Sequence, residues 1–146
     1  MIDKVLEICE KVLEVAPQDS SSSLRAWSTM GDIWHQKGDA KKSYKAYEKA
    51  LKINPNYIYV LNNYAYYLSQ EGKKLGKAYA MSKKTIEAEP DNPTYLDTFG
   101  WILYLQGKAL EAKPFFKHAM LYGGKDSAVV MDHYAEVLYA LKEYDL

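Results

Sequence analysis

Histidine is the side chain best suited to bind a metal or move a proton near neutral pH, and the chain has three, His35, His118 and His133. They lie in different segments, and no two share the spacing that sets a pair of ligands on one helix face, so no metal site is expected. Gly123, Gly124 and Lys125 bear a passing likeness to a phosphate loop, but the longer glycine spacing and the Ser or Thr after the lysine are missing. A helix-closing turn accounts for them better. The single cysteine, Cys9, cannot form an intramolecular disulfide, and it falls on an apolar helical stripe rather than in an activating setting. It reads as a buried structural thiol. No Gly-x-Ser-x-Gly elbow is present. These residues give catalysis no address, and neither an enzyme activity nor a cofactor is expected.

Charge excludes further classes. Nineteen basic residues balance nineteen acidic ones over 146 residues, so no net field draws the chain to nucleic acid or to anionic lipid. The pairs Lys41 and Lys42, Lys73 and Lys74, and Lys83 and Lys84 alternate with acids such as Glu48 and Glu87. That pattern makes a solvated outer face rather than a nucleic-acid track. No apolar run approaches the roughly 18 to 20 residues of a membrane span, and no signal-type apolar core precedes the first helix. Fourteen tyrosines exceed what an apolar core needs, and their hydroxyls require partners or a surface.

The elements that position these residues follow from a period. Gly31, Ala65, Gly100 and Ala135 stand at intervals of 34, 35 and 35, as do Trp27, Leu61, Leu96 and Met131. Gly38, Gly72 and Gly107 repeat likewise, and Ser43, Ala78 and Ala112, then Tyr47, Ser82 and Phe116, then Ala50, Thr85 and Ala119 follow in register. Over Leu24 to Lys37 the apolar Trp27, Met30 and Trp34 recur at helical spacing beside the small Gly31, which forms a packing notch. Gly38 stops that helix and Asp39 caps the next, which begins about Ala40 and ends at Asn54 and Pro55. Each period is a helix, a turn and a helix.

A bulky residue, a small one, a glycine turn, a small-aromatic-small series and a closing proline resemble the tetratricopeptide repeat. The segment Leu61 to Gly124 is also similar to long bacterial repeat proteins, including those of the Bacteroides group. The resemblance implies an all-α, right-handed superhelical solenoid of antiparallel helix pairs. Repeats are expected at 24–57, 58–92 and 93–126, with the second helix of a truncated repeat at 2–17 and the first helix of another at 127–146. The chain would then be a fragment of a longer array, its half repeats able to associate end to end. Ser20 to Ser23 reads as an inserted loop, the Lys73 to Lys77 turn holds one extra residue, and Pro114 implies a kink or a late start in its helix.

In this family the first helices line a concave groove that binds a peptide or protein segment. Carried onto this sequence, the groove residues are Arg25, Asp32 and His35, with Ser28 between them; then Tyr59, Asn62, Asn63 and Tyr66; then Asp97, Trp101 and Tyr104; and finally Asp132, Glu136 and Tyr139. Asn63 holds the place of an asparagine that bonds a ligand backbone. An aromatic and acidic lining suits a segment with apolar and basic residues. The same aromatics could instead fill the interior, and the acids could be an ordinary solvated face. The lysines and arginine with which chaperone adaptors of the family hold a terminal carboxylate are replaced by Ser28, Asp32, Thr94 and Thr98, so such a tail is not the expected partner. Two other roles fit the same repeats: a spacer or self-associating element, and a regulatory or targeting array for a domain outside this sequence. A soluble fragment is expected, placed in the cytoplasm or, from relatives alone, in the bacterial envelope or periplasm.

Overall fold

The computed structural model describes residues 1–143, and these form eight α-helices and one short 3-10 turn. Residues 144–146 of the expected terminal half repeat lie outside the described residues. The helices are α1 (Ile2–Val15), α2 (Ser20–Gln36), α3 (Ala40–Ile53), α4 (Ile58–Glu71), α5 (Leu75–Ala88), α6 (Pro93–Leu105), α7 (Ala109–Leu121) and α8 (Ala128–Ala140). They divide into two compact halves, one up to Val60 and one from Leu61 onward.

In the first half α2 packs on both α1 and α3. Its core is built from Leu6, Cys9, Ala26, Met30, Ile33 and Ala46, with Trp27 and Trp34 against it. Burial pushes the Cys9 thiol above its ordinary range, with the Glu10 charge adding to the effect, as befits a packed structural thiol. The ammonium of Lys42 lies 4.2 Å from the centre of the Trp34 ring, so at least one lysine of the outer face covers an aromatic surface. In the second half α6 packs on α5, α7 and α8, around Leu96, Phe99, Leu103, Phe116, Val130 and Val137.

The notch in each helix pair has a measurable geometry. A Cβ added to Gly31 would lie 2.3 Å from the Tyr47 ring, and one added to Gly100 would lie 2.8 Å from Phe116. The Ser43 hydroxyl also donates to the Gly31 carbonyl at 2.6 Å, which fixes α3 against α2. In the middle repeat the register pairs Ala65 with Ser82, both fully buried. Where the aromatic is lost, the notch is partly filled from the other side.

The turns repeat as well. After α2, Gly38 at φ +86° lets the amide of Asp39 reach the Trp34 carbonyl at 2.9 Å. Gly72 at +66° and Gly107 at +84° do the same for Lys73 and Lys108, the glycine-dependent end of a helix. A fourth copy closes α8 with Lys142 at φ +59°, while the Glu143 amide bonds the Leu138 carbonyl at 2.8 Å. The period therefore runs on to a residue whose type concealed it.

Two expectations about local structure are corrected. Ser20 to Ser23 is the first turn of α2 rather than a loop, because the Asp19 carboxylate accepts from the Ser22 amide and caps the helix there. Of the two outcomes expected at Pro114, the late start is excluded, since α7 starts at Ala109 and continues through the proline. Pro114 is exposed, where solvent can bond the carbonyl that loses its partner. Among the described residues no helix is long and apolar enough to cross a membrane.

Candidate functional site

The residues expected to form one wall fall into distinct settings. In the first half, Asp32 is half-buried, and its carboxylate accepts hydrogen bonds from the hydroxyls of Tyr47 and Tyr59, the latter at 2.5 Å. It braces α2 against α3 and the start of α4, so two of its acceptor positions are already occupied. Tyr59 keeps an exposed ring. Arg25 is exposed at the rim of a cleft of about 290 Å³, to which α1 contributes Val5, Ile8, Cys9 and Val12. His35 is half-buried in the last turn of α2.

The second half gathers more of the set. A cleft of about 380 Å³ is lined from α4 by Asn62, Asn63, Tyr66 and Tyr67, and from α6 by Thr94, Asp97 and Thr98. Ser127, Val129 and Val130 close it from the start of α8. The helical spacing of Asn62 and Tyr66 on α4 turns both toward one side, and the cap of α6 sets its register: the Asn92 side chain accepts from the amides of Thr94 and Tyr95. Asp97 is 4% exposed and Asn62 is 7% exposed. The Tyr66 hydroxyl accepts from Gln70 at 3.3 Å, and its pKa is raised by burial and then by the Asp97 charge. The cleft is thus a partly desolvated, acceptor-rich space with aromatic sides.

Deeper along α6, Trp101 is half-buried with its ring 4.0 Å from His133 and 5.0 Å from Tyr104. Nδ1 of His133 stands 2.9 and 3.1 Å from the two Asp97 oxygens. Trp101 therefore contributes to the joint of α6 with α8 as well as to the face, and Tyr104 packs beside its ring. Asp132, Glu136 and Tyr139 are exposed on α8. His133 was absent from the expected set, although it stands in the register of Asn63 and Thr98. Its part is to support Asp97, a contact between residues 36 positions apart that no local spacing signals. Among the described residues no group of three or more His, Cys, Asp or Glu side chains could hold a metal ion.

Stacked helix pairs that carry polar and aromatic side chains into a cleft on one series of helices define a repeat protein of the binding type. The chain belongs to the family of the cytochrome c-type biogenesis protein H TPR domain, whose model matches residues 12–141. It is 27% identical over 118 residues to a TPR repeat-containing protein of Pseudomonas aeruginosa, covering 81% of this chain and 19% of that protein. It is also 25% identical over 139 residues to the type IV pilus assembly protein PilF of Pseudomonas aeruginosa, covering 92% of this chain and 52% of the relative. The chain thus spans about a fifth to a half of the length of these curated relatives. Among solved structures, MamA MSR-1 superposes with a TM-score of 0.76 at 20% identity, over 98% of this chain and 79% of that one. This likeness shows the fold, and tetratricopeptide arrays are a class that mediates protein–protein interaction through a concave groove.

Proposed function

We propose that the chain holds a segment of another protein on the face formed by its first helices, with the cleft of α4, α6 and α8 as the principal contact. The observation that carries this reading is the convergence of Asn62, Asn63, Tyr66 and Asp97 from two helices on one cleft. Amides suit the main chain of an extended segment, and tyrosines suit its apolar side chains. The acidic and aromatic lining favours a segment with apolar and basic residues. Arg25, Asp32, His35 and Tyr59 continue the same repeat register in the first half, and repeats at 24–57, 58–92 and 93–126 belong to this reading. The names of the matched family and of PilF both concern biogenesis or assembly, which suits a holder of other polypeptides. Peptide-display selection against the chain, repeated with the variant Asn63→Ala, Tyr66→Ala after its fold is verified by circular dichroism, tests it. Peptides recovered by the parent and lost by the variant support the face; equal recovery by both contradicts it.

A second reading has its own observation. Met131, Tyr134 and Leu138 of α8 line, with Met120 and Leu121 of α7, a largely apolar cleft of about 550 Å³, and Leu121 is 79% exposed. Self-association would cover that surface. Sedimentation velocity over a concentration series decides this, with Leu121→Lys reversing any dimer it reveals.

A further inference from the structure

We propose that the cleft of α4, α6 and α8 is a lysine subsite, which takes the ammonium group of a lysine side chain from the bound segment between Asn62 and Asp97. The inference rests on the protein-binding reading above and narrows its chemistry.

The amide oxygen Oδ1 of Asn62 is buried and has no hydrogen-bond partner among the described residues. Buried acceptors are ordinarily satisfied. One that lines a cleft can recover its lost hydration from a donor that enters the cleft. The second acceptor is Asp97, whose carboxylate is engaged by His133 from the α8 side and has lone pairs to spare. Its charge is felt across the cleft, where after burial it is the second cause that raises the Tyr66 phenol above its ordinary range. Among the described residues no lysine or arginine lines the cleft, so the Asp97 charge favours a cation.

Chemistry then separates the cations. Both Asp97 oxygens already lie within reach of His133 Nδ1, which leaves a planar guanidinium without the free two-oxygen edge it uses best. An ammonium needs only single contacts, and its three donors can be shared between the Asn62 oxygen and the Asp97 carboxylate. Tyr66 and Tyr67, with ring centroids 6.0 Å apart, and Val129 offer apolar cover to the methylene stem.

The test uses the full chain, isotope-labelled, titrated with capped heptapeptides of alanine and valine that differ only at the centre: lysine, acetyl-lysine, norleucine or arginine. The lysine peptide is expected to move the Asn62 side-chain amide resonance and the backbone amides near Tyr66 and Asp97, and to bind about tenfold more tightly than the norleucine peptide, as a charge-assisted contact should. Its advantage should shrink with added salt. Asn62→Asp, which puts a second carboxylate at the open acceptor, should strengthen binding of the lysine peptide more than that of the acetyl-lysine peptide, which carries no charge. Equal binding of the lysine, acetyl-lysine and norleucine peptides at this cleft would overturn the lysine assignment while leaving the face intact, and so would a preference for arginine. Shifts confined to α3, α5 and α7, or none with any of the four peptides, would overturn both. The wild-type comparison needs no variant, so a misfolded Asn62→Asp cannot rescue the idea.

Discussion

The imidazole of His133 on α8 lies flat against the indole of Trp101 on α6, with centroids 4.0 Å apart and planes inclined by 16°, while its Nδ1 engages the buried Asp97 carboxylate. One residue thus ties the last helix to the floor of the cleft. His133→Ala leaves that carboxylate buried without its partner, and a loss of about 3 kcal/mol is expected. Asp97→Asn keeps an acceptor for the imidazole and should cost less, about 1 kcal/mol. Chemical denaturation measures both, and amide exchange should show α8 losing protection first in the histidine variant.

Gly31 and Tyr47 make the second relationship. With a Cβ at Gly31 only 2.3 Å from the ring, Gly31→Ala overpacks the pair and should destabilise the chain by about 1–3 kcal/mol. The middle repeat indicates the compensation, since its register pairs Ala65 with Ser82. Adding Tyr47→Ser to Gly31→Ala should therefore cost less than the sum of the two single changes, and a double-mutant cycle reads the coupling. Strict additivity would mean that the two positions do not share a notch.

Lys142 stands in the place that Gly38, Gly72 and Gly107 hold in the preceding turns, at φ +59°. A non-glycine side chain in left-handed backbone carries a strain of about 1 kcal/mol. Lys142→Gly should relieve it, offset in part by the greater freedom of glycine in the unfolded chain. A small gain in midpoint is expected, against the usual sign for a mutation to glycine.

Much of this architecture was legible because the notch, the glycine turn and the proline stop are each set by local sterics, and local sterics repeat with the sequence. Lys142 was not legible, since the backbone there is imposed by the neighbouring helix end and not by the residue. Ser20 to Ser23 misled because serine suits both loops and first helical turns, and Asp19 decides between them. In the site, the helical placement of Asn62, Tyr66 and Asp97 could be read from spacing, and Asn63 came from the family resemblance. That Asp32 is held by Tyr47 and Tyr59 could not, because those hydroxyls arrive from helices 15 and 27 residues away. The same holds for His133 and Asp97, 36 residues apart.

Asp19 gives a pH dependence with a definite sign. Hydrogen bonds from the Ser22 amide and hydroxyl, in that order, hold its carboxyl below the ordinary value of 3.8. A folded pKa below the unfolded one means that the cap stabilises fully above the unfolded value and is lost as pH falls through the folded one. Asp19→Asn retains the cap without the charge, so its stability relative to the parent should improve as the solution is acidified below about pH 4. Thermal melts of the two chains across pH 2 to 6 check the crossover.

The central claim is that the first-helix face, and above all the cleft of α4, α6 and α8, receives a partner's polypeptide. Mapping amide shifts of the full chain with peptides recovered by display measures it most directly. The largest shifts are expected at Asn62, Asn63, Tyr66, Thr94 and Asp97, and they should be lost in the Asn63→Ala, Tyr66→Ala variant. Peptides that bind and shift only α3, α5 and α7 would contradict it.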